Sequence, residues 1–160
     1  MKYGGNYYNL YELIETYIVD RKIKYYDNIE EKEKVITKDQ IGIITGGMSK
    51  TLDATDKFNK VLLDENGKKK SIGIREDIRD KFNDGRIKIL IGSSAIKEGI
   101  DLNKRAHTLY VLDSDFSPSN AMQLEGRIWR QGNMWEFVRI VYVLGRDSID
   151  AFIYSKLQTK

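Results

Sequence analysis

Cysteine is absent from the 160 residues, histidine and proline occur once each, as His107 and Pro118, and tryptophan occurs twice. Without cysteine no disulfide framework or thiolate metal site can form, and a reducing intracellular setting, cytoplasm or nucleus, is expected. A single histidine leaves a histidine-built zinc centre or a serine–histidine triad without material. No apolar stretch of about 18 residues occurs, so no membrane-spanning helix is expected. The first residues, MKYGGNYYNLYELIE, lack the apolar core and small-residue cleavage site of a signal peptide. What is present is ordinary for a globular domain: 41% hydrophobic and 32% charged residues, in a length suited to one core. The net charge of +3 permits a polyanionic partner without requiring one.

Tyr7, Leu10, Leu13, Ile14, Tyr17 and Ile18 recur at helical spacing and predict a helix over 7–21. Residues 22–40 are charged and irregular and read as a loop. The apolar run from Ile41 to Thr45 predicts a strand, with Gly46-Gly47 turning the chain behind it. Asn66-Gly67 inside 51–73, followed by Lys68-Lys69-Lys70, marks a hairpin or loop insertion. That lysine run could touch nucleic acid, although a solvated hairpin tip is the simpler expectation. Ile74, Ile78 and Phe82 predict a helix closed near Gly85, and 87–91 and 108–112 read as buried strands. Helices are expected over 120–131 and 148–157, with a strand over 137–144 between them. Apolar strands alternating with amphipathic helices imply an α/β fold, mainly parallel, covered on both faces. Ligands meet such sheets at the carboxyl ends of the strands, which points to the loops 45–50, 92–101 and 113–119 and the helix after them.

Two of these places carry chemistry. The strand ending at Ile91 delivers a small-residue loop, Gly92-Ser93-Ser94-Ala95, and then Gly99 and Asp101. Small residues let backbone approach a phosphate, and Asp101 could accept from a ribose or orient a neighbouring arginine. In Gln123-Leu124-Glu125-Gly126-Arg127-Ile128-Trp129-Arg130, a continuous helix would place Gln123, Arg127 and Arg130 on one face, a clamp for polyphosphate. Surface arginines in local ion pairs are the plain alternative. His107 reads as structural or exposed, and Trp135 and Tyr142 as packing or strand-edge residues, with base stacking the alternative.

Together these segments resemble motifs V and VI of superfamily-two helicases. Thr45-Gly46-Gly47-Met48-Ser49 is similar to a strand-end turn of that family, and Arg75-x-x-Ile78-x-x-x-Phe82-Asn83 to the helix before motif V. Asp113-Ser114-Asp115-Phe116-Ser117-Pro118-Ser119-Asn120 and Asp147-Ser148-Ile149-Asp150 look like stretches of the Swi/Snf-type ATPase branch. Gly126 and Trp129 depart from that branch, which often has aspartate and histidine there. The resemblance covers roughly 41–158 in register and implies the C-terminal RecA-like lobe of a helicase or translocase. It implies an arginine finger at Arg130, its partner at Arg127, and nucleotide-side positions at Gln123, Gly99 and Asp101. Gly46, Gly47, Ser49, Ser93 and Ser94 are implied on the nucleic-acid backbone, DNA more than RNA.

No Gly-x-x-x-x-Gly-Lys-Ser/Thr loop is present. Met48-Ser49-Lys50-Thr51 imitates its end but has Ser49 where glycine is needed, and the Asp-Glu-x-His or Asp-Glu-Ala-Asp quartet is missing. ATP and Mg2+ are therefore expected to be held mainly by an N-terminal lobe, and the chain alone to be inactive. Residues 1–40 read as the N-terminal helix and charged loop of the lobe without its leading strand, as in a fragment or split subunit, and 41–160 as the RecA-like domain. A non-catalytic remnant that binds nucleic acid or protein is the second reading. An unrelated doubly wound transferase is a third, unsupported by any glycine-rich nucleotide fingerprint.

Overall fold

The computed structural model describes residues 9–27, 30–48, 50–56, 58–97, 100–113 and 117–158. Tyr7, Ser49, Gly99 and Ser114–Phe116 lie outside them. The chain divides into two compact units, 1–93 and 94–160.

The first unit opens with α1 (Leu10–Asp20), capped by Asn9, whose side chain accepts the Tyr11 N–H at 3.2 Å. Buried Glu15 pairs with Lys38 at 3.1 Å, while Leu10, Leu13 and Tyr17 stay exposed. The segment expected to be irregular instead forms an antiparallel hairpin, β1 (Lys24–Asp27) with β2 (Lys32–Val35). Its strands are too charged to show an apolar alternation. Ion pairs across it, Lys24 with Glu33 and Lys34 with Asp27, each at 2.8 Å, supply the complementarity instead.

β3 (Ile41–Ile44) runs parallel to β6 (Ile89–Gly92), Ile41 opposite Ile89. Ile44 is fully buried, and the Ser93 N–H continues the ladder to the Ile44 carbonyl at 3.1 Å. The helix α2 (Ile74–Asn83) lies close on β3 because residue 42 is glycine. A Cβ there would meet Ile78 Cγ2 at 2.8 Å and Ile87 Cδ1 at 3.0 Å.

Between β3 and α2 lies the insertion, rooted in the antiparallel pair β4 (Thr51–Asp53) and β5 (Ser71–Gly73). Beyond the root it divides into two short arms, bridged at Thr55–Val61 and Leu63–Lys69. Three backbone hydrogen bonds close a ring at the branch point. Ala54 donates to Lys70, Lys70 to Leu62 and Leu62 to Ala54, at 2.7–2.9 Å. The two arm tips repeat one solution. Asp56 accepts the N–H groups of Phe58 and Lys60, and Asp64 those of Asn66 and Lys68. The fourth tip residue is left-handed in both, Asn59 at φ 61° and Gly67 at φ 75°. The two N–H donors hold the Asp56 carboxyl below its ordinary pKa, that of Lys60 counting most.

The second unit starts with a 3-10 turn over Ser94–Lys97. It continues through β7 (Thr108–Val111), α3 (Pro118–Glu125), β8 (Arg139–Tyr142) and α4 (Asp150–Gln158). β7 and β8 are parallel, Thr108 opposite Arg139. Ser117 caps α3 by accepting the Asn120 N–H at 3.4 Å, with Pro118 in the first turn, where its missing N–H does no harm. Ile100, Leu102, Ala106, Val111 and Ile128 form the buried core. The α/β class with parallel pairing is as the sequence implies. Among the described residues each unit contains one parallel ladder, β3 with β6 in the first and β7 with β8 in the second. No helix among them is long and apolar enough to cross a membrane.

Candidate functional site

The expected helix over 120–131 stops at Glu125, with Gly126 as its cap. Arg127 and Arg130 therefore do not share a helix face with Gln123, which sits exposed on α3. They converge by another route. Backbone bonds from Arg127 to Leu124 and from Ile128 and Trp129 to Glu125, at 2.9–3.1 Å, coil the chain past the helix end. Ile128 turns into the core, only 4% exposed. Gly132 in the left-handed region, φ 96°, rules out further helix.

Asparagines hold this turn. Asn133 Nδ2 donates to the carbonyls of Ile128 and Ala106, both at 2.9 Å, and its Oδ1 accepts the Trp135 N–H at 2.9 Å. Asn103 Nδ2 donates to the Gln131 carbonyl at 3.0 Å. From β8, the Tyr142 hydroxyl donates to Glu125 at 2.6 Å, just ahead of the arginines, and its ring packs on Tyr154 at 5.1 Å. Burial first, and the bond to Glu125 second, push the Tyr142 phenol well above its ordinary pKa. Trp135 is likewise structural: its indole N–H donates to the Arg105 carbonyl at 3.0 Å and its ring meets the edge of His107 at 5.2 Å.

The result is two guanidiniums on one carboxylate. Arg127 Nη1 lies 3.3 Å from Asp101 Oδ1, and Arg130 Nη1 donates to the same oxygen. Side-chain exposure is 24% for Arg127, 54% for Arg130 and 52% for Asp101, so the cluster opens to solvent. Asp101 is thus paired with both arginines, as in a local ion-pair cluster. Gly99, between Asp101 and the 3-10 turn, is outside the described residues.

In the first unit, Gly46 and Gly47 form an exposed turn at the carboxyl end of β3, where an added Cβ at either would meet nothing within 4 Å. Ser93 follows the neighbouring end of β6. Arg75, at the start of α2, fixes the turn by donating from Nη2 to the Thr45 carbonyl at 3.0 Å and to that of Gly46. In the second unit Ser94 opens the 3-10 turn, exposed. Sequence reasoning passed over Arg75 and Asn133 as site residues and read Tyr142 as a packing or strand-edge residue, with base stacking the alternative. The Gly132-Asn133 turn signal just past the expected helix end at 131 was the available clue to Asn133.

Parallel strand pairs with helical crossovers, and polar groups in the loops after the strands, define the molecule as a RecA-like α/β lobe. The fold resembles the crystal structure of the C-terminal part of the Fun30 ATPase domain, at a TM-score of 0.50 and 24% identity. That match covers 73% of this chain and 31% of that one. The chain belongs to the helicase conserved C-terminal domain family, whose model matches residues 19–132. It is 30% identical over 90 residues to the Defense against restriction protein B of Escherichia phage P1, covering 56% of this chain and 4% of that protein. It is 33% identical over 63 residues to the mouse Chromodomain-helicase-DNA-binding protein 1-like, covering 39% of this chain and 7% of that protein. The chain thus spans a small fraction of the length of either relative.

Proposed function

We propose that this chain is the C-terminal motor lobe of an ATP-dependent helicase or translocase, completed in cis or in trans by an N-terminal RecA-like lobe that carries ATP and Mg2+. The observation that carries the reading is the pair Arg127 and Arg130 held on solvent-open Asp101. Two guanidiniums with five N–H donors each suit a polyphosphate. Solvent-exposed ion pairs are worth about 0–1 kcal/mol, so exchanging Asp101 for phosphate costs little. Arg130, the more exposed, is the finger. Arg127, tucked closer to the core, is its partner, and Asp101 parks and aims both while the cleft is open. An inserted arginine accelerates phosphoryl transfer by about 10³–10⁵ through charge stabilisation alone. Gln123 and Gly99 complete the nucleotide side.

The open Gly46–Gly47 turn, with Ser49, Ser93 and Ser94, is assigned to the nucleic-acid backbone. Exposed backbone N–H groups and small hydroxyls grip phosphates without reading bases. Mg2+ is assigned mainly to the other lobe because the Asp-Glu-x-His or Asp-Glu-Ala-Asp quartet that would hold it does not occur in this sequence. The Swi/Snf-type branch is favoured by the Asp113–Asn120 stretch. DNA rather than RNA is favoured by that resemblance and by the DNA-binding name of the mouse relative. In a steady-state phosphate-release assay the chain alone should turn over no ATP above background, and adding the N-terminal lobe should restore nucleic-acid-stimulated hydrolysis. Turnover by the chain alone would overturn the reading. Failure of any N-terminal lobe to restore it would favour the non-catalytic remnant.

A further inference from the structure

In the second unit, four successive residues of the loop after Asp101 are each tied to the segment after Arg130. Asn103 Nδ2 donates to the Gln131 carbonyl at 3.0 Å, and the Lys104 carbonyl accepts the Met134 N–H at 3.0 Å. The Arg105 carbonyl accepts the Trp135 indole N–H at 3.0 Å, and the Ala106 carbonyl accepts from Asn133 Nδ2 at 2.9 Å. The last three ties lie beyond Gly132, whose left-handed backbone, φ 96°, marks the bend. Of the four, that of Asn103 reaches the arginine side of the bend, one residue from Arg130. It is also the one in which the loop contributes a side chain rather than a carbonyl.

The segment Asp101-Leu102-Asn103 therefore holds Arg130 at two points. Asp101 accepts from the guanidinium, and Asn103 takes the carbonyl of the next residue. Leu102 between them is buried, 5% exposed, and anchors both grips in the core. The two grips fare differently when phosphate arrives. In the motor-lobe reading, on which this inference rests, Arg130 leaves Asp101 for the nucleotide. A long, flexible stem is then aimed only by the position of its own backbone. The bond from Asn103 does not involve the guanidinium and stays in place. Gln131 is exposed, so water can replace a lost amide donor and little stability is at stake. Water does not restore direction, and a displacement of about 1 Å at a reacting group costs about 10²-fold in rate.

We propose that Asn103 is a positioning residue for Arg130, a brace that keeps the backbone of the finger in place once Asp101 releases its side chain. Two variants test it. Asn103→Leu keeps the approximate shape and loses the donor, and Asn103→Gln keeps an amide donor on a longer stem. In the chain alone, backbone order parameters from NMR relaxation should fall at Arg130 and Gln131 in Asn103→Leu, with those of β7 unchanged and the urea midpoint near that of the wild type. In the motor reconstituted from both lobes, Asn103→Leu should lower kcat of nucleic-acid-stimulated ATP hydrolysis about ten- to a hundredfold, with KM for ATP within about threefold. Asn103→Gln should recover most of that loss. A merely structural Asn103 would shift the urea midpoint and leave kcat of the folded motor alone. Wild-type kcat in Asn103→Leu, or unchanged order at Arg130 and Gln131, overturns the proposal. Arg130→Ala separates the two ideas. If it abolishes stimulated hydrolysis while Asn103→Leu keeps the wild-type rate, the brace falls and the motor-lobe reading stands. If Arg130→Ala itself hydrolyses at the wild-type rate, the finger fails and takes the positioning role with it.

Discussion

Replacing Asn133 by alanine perturbs the turn that carries the arginines without touching an arginine. It deletes two hydrogen bonds from Nδ2, to Ile128 and Ala106, and one accepted from Trp135. Each such bond contributes about 0.5–1.5 kcal/mol net, and a buried carbonyl left bare adds to the cost. Ala106 is only 4% exposed, so water does not readily replace the lost donor. The expected loss is about 2–3 kcal/mol, or about 5–10 °C in midpoint for a chain of this length. Asn133→Asp is the sharper variant. It keeps shape and acceptor but turns a carboxylate oxygen toward two carbonyls, and it should cost more than alanine. Urea unfolding followed by tryptophan fluorescence gives the ranking. Native-state hydrogen exchange locates it, with N–H groups around Ile128 exchanging faster while those of β3 are unchanged. An Asn133→Asp protein as stable as the wild type would refute the clamp.

Other outcomes follow from single contacts. Tyr142→Phe should lose about 1 kcal/mol below pH 10 through its lost bond to Glu125. The folded-state phenol titrates above the unfolded one, so the wild-type advantage is full below about pH 10 and is lost as pH rises beyond it. Denaturant midpoints of the two proteins at pH 8 and at pH 10.5 should therefore converge, and a constant gap would contradict the assigned burial. Gly42→Ala should destabilise by about 1–3 kcal/mol, because its methyl group would lie 2.8 Å from Ile78 Cγ2. An unchanged urea midpoint would mean α2 can move away at no cost.

What the sequence made legible was whatever apolar periodicity encodes. The strands at Ile41 and Thr108 and the helix from Ile74 follow from residue type at fixed offsets. The hairpin of 24–35 was illegible because its pairing rests on charges such as Lys24 and Glu33, which in sequence look like solvated loop. The branched insertion was half legible. Asn66-Gly67 announced one turn, but the ring through Ala54, Leu62 and Lys70 is a long-range backbone event without a side-chain signature. At the site, the residues named by resemblance include the three that meet, Asp101, Arg127 and Arg130. The reason given for their meeting, a shared helix face, was replaced by a turn that Gly126, Gly132 and Asn133 impose. Periodicity from Gln123 through Arg130 suggested helix, and the tertiary burial of Ile128 with the Asn133 clamp overrode it.

The most direct test is nucleic-acid-stimulated ATP hydrolysis by the motor reconstituted from both lobes, wild type against Arg130→Ala. The account predicts a fall of about 10³ or more in the stimulated rate, with affinity for nucleic acid within a few-fold of wild type. A mutant that hydrolyses ATP at the wild-type rate would contradict it.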